Sequence, residues 1–533
     1  MKHLITMAIL LFSLALNAQV GINNTSPKAT LDITAKTTGS TTAEGLIAPR
    51  LEGIDIKGKD GKYDIPQKGA IIYALSAVAS PSTKTANITA EGYYYFDGSV
   101  WQKLSNSSVP AVVVTSSALN GTYVAGTVMT ASNTFTVTLT NNSFSTATIA
   151  FSTSDLALSG VTGLSVASVS TASSTLIAGA SVTVTYSLSG TAVSCGTLTA
   201  TWSKLTLIST KIATVIPNFN CSAGSWSSVL PEYRLNGLIN GTSYSGTYTL
   251  PYTAGGSGCA YAGETITQSG LTLTLPAGNY STSGNLTYTL SGTYTGSNNG
   301  SISFTTAGGC TIYLGPCASC KEIKDKGLTT ADGVYYVDID QAGSTYPPAK
   351  AQCDMTTDGG GWTLVLNYLH KGGTSPSVAA KTNSFPIIGS TSLGIDESAN
   401  VDNWGNISNS MLNTMSFSSI RFYGKTSAHS RIIHFKTSLS NGISYIKTGT
   451  GSFSGLSTSY TALSGHTAFI PGTADIYWTN FGNLALTTFP FFKDLNYHWG
   501  IDAGRPNTSN KAWEVDDYPQ NASNSTYHQV WVK

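Results

Sequence analysis

Alternating apolar and hydroxyl-bearing residues in the middle of the chain constrain its fold more than any other feature. The alternation is clearest in Thr134–Thr140, Val182–Tyr186, Leu271–Leu275 and Leu286–Leu290. When the pattern repeats every two residues, one face of an extended strand points toward the core and the other face contacts solvent. Gly and Asn separate these short runs, as they do at turns. We therefore predict β-sandwiches between residues 107 and 316.

The charge content narrows the class of protein. Only 10% of the 533 residues are charged, and 28 basic residues stand against 27 acidic ones, for a net charge of +1. This excludes the basic surface of a nucleic-acid-binding protein. A hydrophobic fraction of 41% excludes a disordered chain, and the length suits roughly three to five domains. We expect a multidomain, mostly β protein with no nucleic-acid partner.

The first 18 residues have the layout of a secretory signal peptide. A short basic start precedes an apolar run from Leu4 to Leu16, and Ala18 offers a small residue for cleavage before Gln19. A buried N-terminal helix is the alternative. No later apolar stretch approaches the roughly 18 residues of a transmembrane helix. We expect a secreted or cell-surface protein without a transmembrane segment.

Residues 19–106 form the first predicted unit. Its opening, Val20–Ile33, and the later Gly45–Arg50 resemble the start of secreted bacterial adhesin-like and tail-fibre-like proteins. The unit closes with Gly92–Trp101, which we interpret as two strands joined by an Asp-Gly turn. Fibre-like segments of this kind often form trimers. The resemblance therefore implies a homo-oligomer that is held together through the N-terminal segment.

A sequence repeat divides the middle of the chain. The motif Tyr-x-Leu-Ser-Gly-Thr starts at Tyr186 and again at Tyr288, 102 residues later. That spacing suits a whole sandwich, so we predict two immunoglobulin-like modules, 107–216 and 217–316. The second also resembles repeat modules of bacterial surface proteins, and we expect Cys259 and Cys310 to close it. A disordered mucin-like stalk is the alternative, which the regular alternation disfavours.

The cysteines point to an oxidising compartment. Seven cysteines follow the predicted signal peptide, an odd number that leaves at least one free or paired between chains. Cys317 and Cys320 form a lone C-x-x-C. It lacks the second ligand pair of a zinc site and the βαβ surroundings of a thioredoxin-like motif. We interpret it as two cysteines that each form a disulfide elsewhere.

The C-terminal unit, residues 317–533, carries the most specific motifs. Cys320–Ile323, Cys353–Met355 and Asp358–Val365 follow one another and resemble the start of a fibrinogen-like C-terminal domain, in the bacterial branch with a CD…GGGW segment. Tyr527–Val532 resembles the closing strand of that branch. The resemblance implies an α+β fibrinogen-like domain and a disulfide between Cys320 and Cys353. Apolar spacing also predicts a short helix within Ile407–Met415.

An acidic cluster near the C-terminus is the candidate site. The predicted metal ligands are Asp502, Glu514, Asp516 and Asp517. Carboxylate oxygens suit calcium, which can chelate sugar hydroxyls. A likeness in residue types to the intelectin branch, where Asn, His and Glu hold calcium beside an aromatic box, extends the site. The predicted ligand-binding residues are Asn496, His498, Trp499 and Trp513. A solvated acidic loop beside two structural tryptophans is the alternative.

Catalytic signatures are absent from the sequence. It contains no nucleophile elbow, no H-E-x-x-H, no P-loop and no dinucleotide fingerprint. We therefore predict a secreted or cell-surface binding protein, adhesin-like or lectin-like and not an enzyme, whose fibrinogen-like domain recognises a glycan or a similar surface ligand, with calcium as the candidate cofactor. The alternatives are a structural matrix or filament protein without a small ligand, and a glycan-acting hydrolase with two carboxylates across a cleft.

Overall fold

The computed structural model describes residues 20–36, 43–104, 112–143, 145–227, 229–256, 258–374, 376–397, 402–468, 479–488, 490–493, 496–504, 511–517 and 524–533. The predicted signal peptide, residues 1–18, lies outside the described residues. The described part is mostly β with many separate sheets, which confirms the predicted fold class. Its apolar side chains gather in several cores along the chain.

Helices are short and few in the part of the chain that the structure describes. The α-helices are α1 (Gly53–Gly58), α2 (Tyr233–Asn236), α3 (Cys320–Asp325), α4 (Asn409–Thr414) and α5 (Ser440–Thr448). The 3-10 turns are Asp60–Lys62, Ile65–Gln67, Thr153–Asp155, Cys221–Ala223, Thr357–Gly359, Leu456–Thr458 and Gly482–Leu484. None of these helices is long and apolar enough to cross a membrane.

The N-terminal unit contains two small sheets. Its strands are β1 (Val20–Ile22), β2 (Leu31–Ile33), β3 (Arg50–Leu51), β4 (Ile71–Ala74), β5 (Gly92–Phe96) and β6 (Trp101–Lys103). β1 pairs with β2 in parallel, and β3-β4-β5-β6 form the second sheet. The Asp-Gly turn joins β5 to β6, where the Asp97 carboxylate accepts hydrogen bonds from the backbone N–H groups of Ser99 and Val100. Trp101 is fully buried beside this turn.

The next ten strands form a β-sandwich. They are β7 (Val112–Asn120), β8 (Tyr123–Val124), β9 (Thr134–Asn141), β10 (Ala147–Ala150), β11 (Leu156–Ser159), β12 (Leu164–Val169), β13 (Ser173–Leu176), β14 (Ser181–Gly190), β15 (Gly196–Lys204) and β16 (Leu207–Ile216). The sheets β11-β15-β16-β8 and β12-β14-β9-β7 share one core. Phe135, Val137 and Leu139 of β9 are fully buried and alternate with half-buried threonines, as the period of two predicts.

The following module is built around a six-stranded sheet. Its strands are β17 (Asn218–Phe219), β18 (Ser225–Ser227), β19 (Gly246–Thr253), β20 (Ala260–Tyr261), β21 (Glu264–Gln268), β22 (Leu271–Leu275), β23 (Gly278–Asn279), β24 (Ser283–Gly292), β25 (Ile302–Thr305) and β26 (Thr311–Leu314). The sheet order is β17-β19-β24-β22-β21, with β18 also on β19. Its core is separate from that of the sandwich before it.

The two copies of the repeated motif lie at the same place in their modules. Each copy occupies the end of a ten-residue strand, β14 or β24. The backbone carbonyl of Gly190 accepts a hydrogen bond from Met129, and that of Gly292 accepts one from Tyr244. Both glycines have positive φ, 99° and 129°. The motif therefore marks a strand end that the fold repeats, while the module boundaries themselves stay predictions.

The disulfides differ from the predicted pairing in the middle of the chain. Cys195 bonds to Cys259 and Cys221 bonds to Cys310, so the prediction of a Cys259–Cys310 bond is wrong. The reason is position: Cys259 lies before β20 and faces the preceding sandwich, while Cys310 lies in the turn between β25 and β26. The Cys195–Cys259 bond therefore joins the two predicted modules across residue 216.

The C-terminal unit has the largest sheet. Its strands are β27 (Gly333–Val337), β28 (Ala349–Asp354), β29 (Trp362–His370), β30 (Ala380–Lys381), β31 (Gly405–Ile407), β32 (Ile420–Thr426), β33 (Ile433–Thr437), β34 (Tyr460–Ala462), β35 (Phe492–Lys493), β36 (Asn496–Gly504), β37 (Lys511–Asp517) and β38 (Thr526–Val532). The order is β27-β28-β29-β38-β32-β33-β34. A separate sheet, β35-β36-β37, packs against its inner face, where Gly424 of β32 leaves room for Val515 and Trp499.

A disulfide and a glycine turn fix the conformation at the beginning of this unit. Cys320 and Cys353 form the predicted disulfide, and Cys317 is a buried free thiol. Only one member of the C-x-x-C therefore bridges elsewhere, which corrects the prediction for Cys317. A Cβ on Gly360 (φ 72°) would lie 2.0 Å from the carbonyl oxygen of Met355, so only glycine fits this turn before the buried Trp362. The predicted helix is α4, with Met411 and Leu412 buried.

Candidate functional site

The predicted site lies on the β36–β37 hairpin, which faces the inside of the unit. Trp499 and Trp513 are both 0% exposed and belong to the main core. The indole N–H of Trp499 donates to the carbonyl of Leu486 at 3.0 Å, and Trp513 stacks on His370 with ring centres 4.3 Å apart. Other core groups cover both indoles in this structure, and the prediction that they line a ligand pocket stays a prediction.

Strand alternation explains where the two tryptophans point. Trp499 and Ile501 alternate along β36, and Trp513 and Val515 alternate along β37, so each pair shares one strand face. All four are buried in the core of the C-terminal unit. Apolar alternation on both strands was therefore the stronger signal, and it favoured the structural alternative for the two indoles.

His498 and Asp516 are brought together by the hairpin. The Nδ1 atom of His498 lies 2.8 Å from Oδ1 of Asp516, and both residues are almost fully buried. Arg431 completes the group: one guanidinium nitrogen donates to the backbone carbonyl of Asp516 at 2.6 Å, and another lies 3.4 Å from its Oδ2. Asp516 therefore has a cationic partner supplied by the protein itself.

Glu514 is fully buried beside another histidine. Nε2 of His528 donates a hydrogen bond to the Glu514 backbone carbonyl at 2.8 Å. His528 is also fully buried, with the Trp499 ring edge-on at 4.6 Å. Burial lowers the pKa of His528 to about 3, because the charged imidazolium would lose its hydration. The ring is therefore neutral at physiological pH.

The described part of the hairpin does not make a calcium site on its own. The backbones of Asn496, Asp502 and Asp517 lie in β36 and β37, but their side chains are outside the described residues. Among the described residues, no three His, Cys, Asp or Glu side chains converge as metal ligands would. The predicted calcium site of Asp502, Glu514, Asp516 and Asp517 therefore stays a prediction.

A groove opens on the opposite, outer face of the large sheet. We call it the Arg421 groove. It encloses about 270 Å³, and its floor comes from two neighbouring strands, β32 and β38. The floor residues are Arg421, Tyr423, Lys425, Tyr527, Gln529 and Trp531. Asp354 and His434 lie at its sides. It is the feature of the described C-terminal unit whose shape and chemistry best suit a small ligand.

Arg421 is held rigidly at the bottom of this groove. Its guanidinium carbon lies 4.7 Å from the ring centre of Trp531 and 5.1 Å from that of Trp362. One guanidinium nitrogen lies 2.7 Å from Oδ2 of Asp354. Burial raises the pKa of Asp354, but the Arg421 charge and the Thr357 backbone N–H more than offset this, so its pKa lies below the ordinary value. The pair is therefore fully ionised at neutral pH.

The other groove residues are cationic or polar. Nζ of Lys425 donates to the Thr391 carbonyl at 3.2 Å and lies 5.5 Å from the ring centre of Tyr527. Gln529 donates to the Tyr527 hydroxyl at 2.5 Å. Burial lowers the pKa of His434, so this ring adds no charge at pH 7. One aromatic floor therefore carries several hydrogen-bonding groups and a surplus of positive charge.

Sequence reasoning missed this groove although a signal was present. Residues 420–426 read IRFYGKT and residues 527–532 read YHQVWV. In both strands a large polar or aromatic residue alternates with an apolar or small core residue. Alternation gives each strand a second face, and side chains such as Arg, Lys, Tyr and Gln on that face indicate a wet surface. A search for a site among acidic residues alone does not find this groove.

The comparison with known proteins concerns the other end of the chain. A family described as a phage tail-like trimerisation region matches residues 20–120. The match begins at β1 and ends at the last residue of β7. It supports a homo-oligomer formed through the N-terminal segment, as in fibre-like structural or binding proteins.

Proposed function

We propose that this chain is the subunit of a trimeric, fibre-like binding protein that is exported from the cell and whose C-terminal unit binds carbohydrate. The match of residues 20–120 to a phage tail-like trimerisation region carries this proposal. The modules between residues 112 and 314 would form the stalk, and three disulfides suit an oxidising, extracellular setting. The C-terminal unit would act by binding and not by catalysis.

An exposed apolar face on the first two strands supports trimerisation. Val20 pairs with Leu31 and Ile22 pairs with Ile33, so all four side chains lie on one face of the β1–β2 ribbon. They are 53%, 49%, 47% and 40% exposed, respectively. A clustered apolar face of this kind marks an association surface. Two further copies of the chain are the occupants that the family match favours.

Measurement of molecular mass tests the oligomer. Light scattering of the purified secreted chain should give three times the mass of one chain. A Val20→Asp, Leu31→Asp double variant should give one chain, because charge would be placed on the association face. Thr25→Asp, on an exposed loop of the same segment, is the matched control and should stay trimeric. A monomeric wild-type chain would overturn the proposed trimer.

A glycan array tests the binding function. The trimeric chain should be retained on a subset of the carbohydrates in the array. Absence of retention on every carbohydrate would favour the second candidate, a structural fibre without a small ligand. The burial of Trp499 and Trp513 favours that second candidate, because aromatic rings that stack on sugars are usually accessible.

Calcium binding at the hairpin remains part of the proposal and needs its own test. Calorimetry with calcium on the wild type and on an Asp502→Asn, Asp517→Asn double variant separates the outcomes. Heat that appears only in the wild type would support a calcium site. Equal heats, or none at millimolar calcium, would remove calcium from the proposal. Because Asp516 already pairs with Arg431, charge repulsion at this residue gives no separate argument for the ion.

A further inference from the structure

We propose that the Arg421 groove binds a single saccharide unit that carries one carboxylate. This inference rests on the proposed carbohydrate-binding function and adds its location and ligand class. It places recognition on the outer face of the large sheet, whereas the sequence-predicted site lies on the hairpin against the inner face.

Arg421, which lines the groove, has a buried donor without a partner in the described residues. Arg421 is 3% exposed, and a buried cation is costly unless its polar atoms have partners. One nitrogen pairs with Asp354, but Nε has no hydrogen-bond partner within the described residues. The two flanking indoles prevent the side chain from turning toward solvent to find one. Because Arg421 lines the groove, an oxygen of a ligand bound there would meet its guanidinium.

The charge of the groove indicates the charge of the ligand that it would bind. Arg421 and Asp354 cancel, His434 is neutral, and Lys425 remains. Beside the groove, Lys436 is paired with Asp358 at 2.6 Å and adds no net charge. The tyrosine pKa values are raised by burial, so these groups stay neutral too. Among the residues that line the groove, one net positive charge therefore remains, which matches one carboxylate better than a phosphate of nearly two negative charges.

The size and polarity of the groove suit a sugar. About 270 Å³ falls below the ~300–1,000 Å³ of pockets that hold drug-sized ligands, and it suits one sugar ring. The hydroxyl of Tyr423 makes no hydrogen bond within the described residues, and the Gln529 amide, whose N–H groups already bond to Asn367 and Tyr527, also lines the groove. Several separate polar groups of this kind fit the several hydroxyls of a sugar. An acidic peptide side chain would use the cation and leave these groups without partners.

The test uses the full chain and a matched pair of probes. One probe is an oligosaccharide that ends in glucuronic acid, and the other ends in glucose. Calorimetry should show about tenfold weaker binding of the glucose probe, because it lacks the charge-assisted contact. Lys425→Gln should weaken binding of the acidic probe about tenfold and leave the neutral probe unchanged. Lys350→Gln, an exposed lysine of the same unit outside the groove, should change neither.

A second variant guards against a purely long-range effect of charge. Tyr423→Phe keeps the ring and removes the hydroxyl. It should therefore lower the affinity for both probes a few-fold, and by a similar factor for each. Circular dichroism of each variant should match the wild type.

If both probes bind equally and neither variant changes their affinity, the Arg421 groove is not the site, although the proposed carbohydrate function stands. If an oligoglutamate peptide competes as well as the acidic sugar, the saccharide assignment is overturned. If no carbohydrate binds at all, the proposed function itself fails.

Discussion

His528 couples the stability of the C-terminal unit to pH. Its folded pKa is about 3, well below the ~6.5 of an exposed histidine. The unfolded chain therefore takes up the proton first as the pH falls. The stabilising contribution is fully present above about pH 6.5 and is lost as the pH falls toward 3.

We expect His528→Gln to flatten the acid dependence of stability. The amide can still donate to the Glu514 carbonyl but does not titrate. In the wild type, this histidine should make the free energy of unfolding fall by about 1.4 kcal/mol per pH unit within that window. Urea unfolding followed by tryptophan fluorescence between pH 4 and 7 measures the slope. The neighbouring Tyr527→Phe should shift stability equally at each pH; the same slope in both variants would contradict the assignment.

For individual residues, the sequence indicated which side chains lie together but not what each of them does. The residues His498, Trp499, Trp513, Glu514 and Asp516 do gather in one part of the fold. Their chemistry was predicted from residue type, whereas burial decides whether a carboxylate or an indole can meet a ligand. Burial depends on which sheet face the hairpin covers, and that pairing is not encoded in the local sequence of β36 or β37.

Strand ends in the two central modules depend on glycine in a way that substitution can measure. A Cβ on Gly190 would lie 2.2 Å from the carbonyl oxygen of Gly163, and one on Gly292 would lie 2.3 Å from that of Gly270. Both positions also have positive φ. Side chains are therefore excluded twice over at these positions, by backbone contact and by conformation.

Gly190→Ala and Gly292→Ala should each destabilise their own module by more than about 2 kcal/mol. Positive φ alone costs an L-residue roughly 1–2 kcal/mol, and the backbone clash adds to it. Gly179→Ala is the control, since its φ is 76° but nothing lies within 4 Å of the added Cβ. Calorimetric unfolding of the full chain reports each transition. A loss for Gly190→Ala no larger than for Gly179→Ala would show that the strand end relaxes.

Elements were predictable where one pattern dominates. The strands with Thr at every second position and the Asp-Gly hairpin follow the sequence closely. Helix α4 lies inside the predicted interval with Ser408 as its cap, accepting a hydrogen bond from the backbone of Met411. The Arg421 groove is formed by two strands, β32 and β38, that are adjacent in the sheet but about a hundred residues apart in sequence. Its prediction would have required knowledge of that pairing. Such long-range pairing is outside the reach of periodicity.

The Cys195–Cys259 bond links the two central modules covalently. Their cores are separate, so the disulfide is the covalent link that restrains them beyond the chain itself. A Cys195→Ser, Cys259→Ser variant should give a larger radius of gyration by small-angle scattering than the wild type. Its free energy of unfolding should also fall, by about 2–5 kcal/mol.

Removal of Cys221 and Cys310 is the matched control for that experiment. This bond lies within one module and closes 89 residues, against 64 for the other. Its loss should lower stability by a comparable amount and leave the radius of gyration of the folded chain unchanged. An identical change in shape for both variants would mean that the modules are held together by their packing.

At the scale of the whole molecule, the order of strands in the large sheet also sets the order of folding events. β38 lies between β29 and β32, yet it is made after both of them. Until β38 is available, the sheet is limited to two halves, each with an open edge, whereas the upstream modules already have all their strands and can fold first. Open edges readily pair with those of other chains. If chains joined through their N-terminal ribbons before β38 emerged, three incomplete sheets would meet at high local concentration. Late assembly of the N-terminal ribbon would therefore protect the slowest unit to finish from swapping strands with its neighbours.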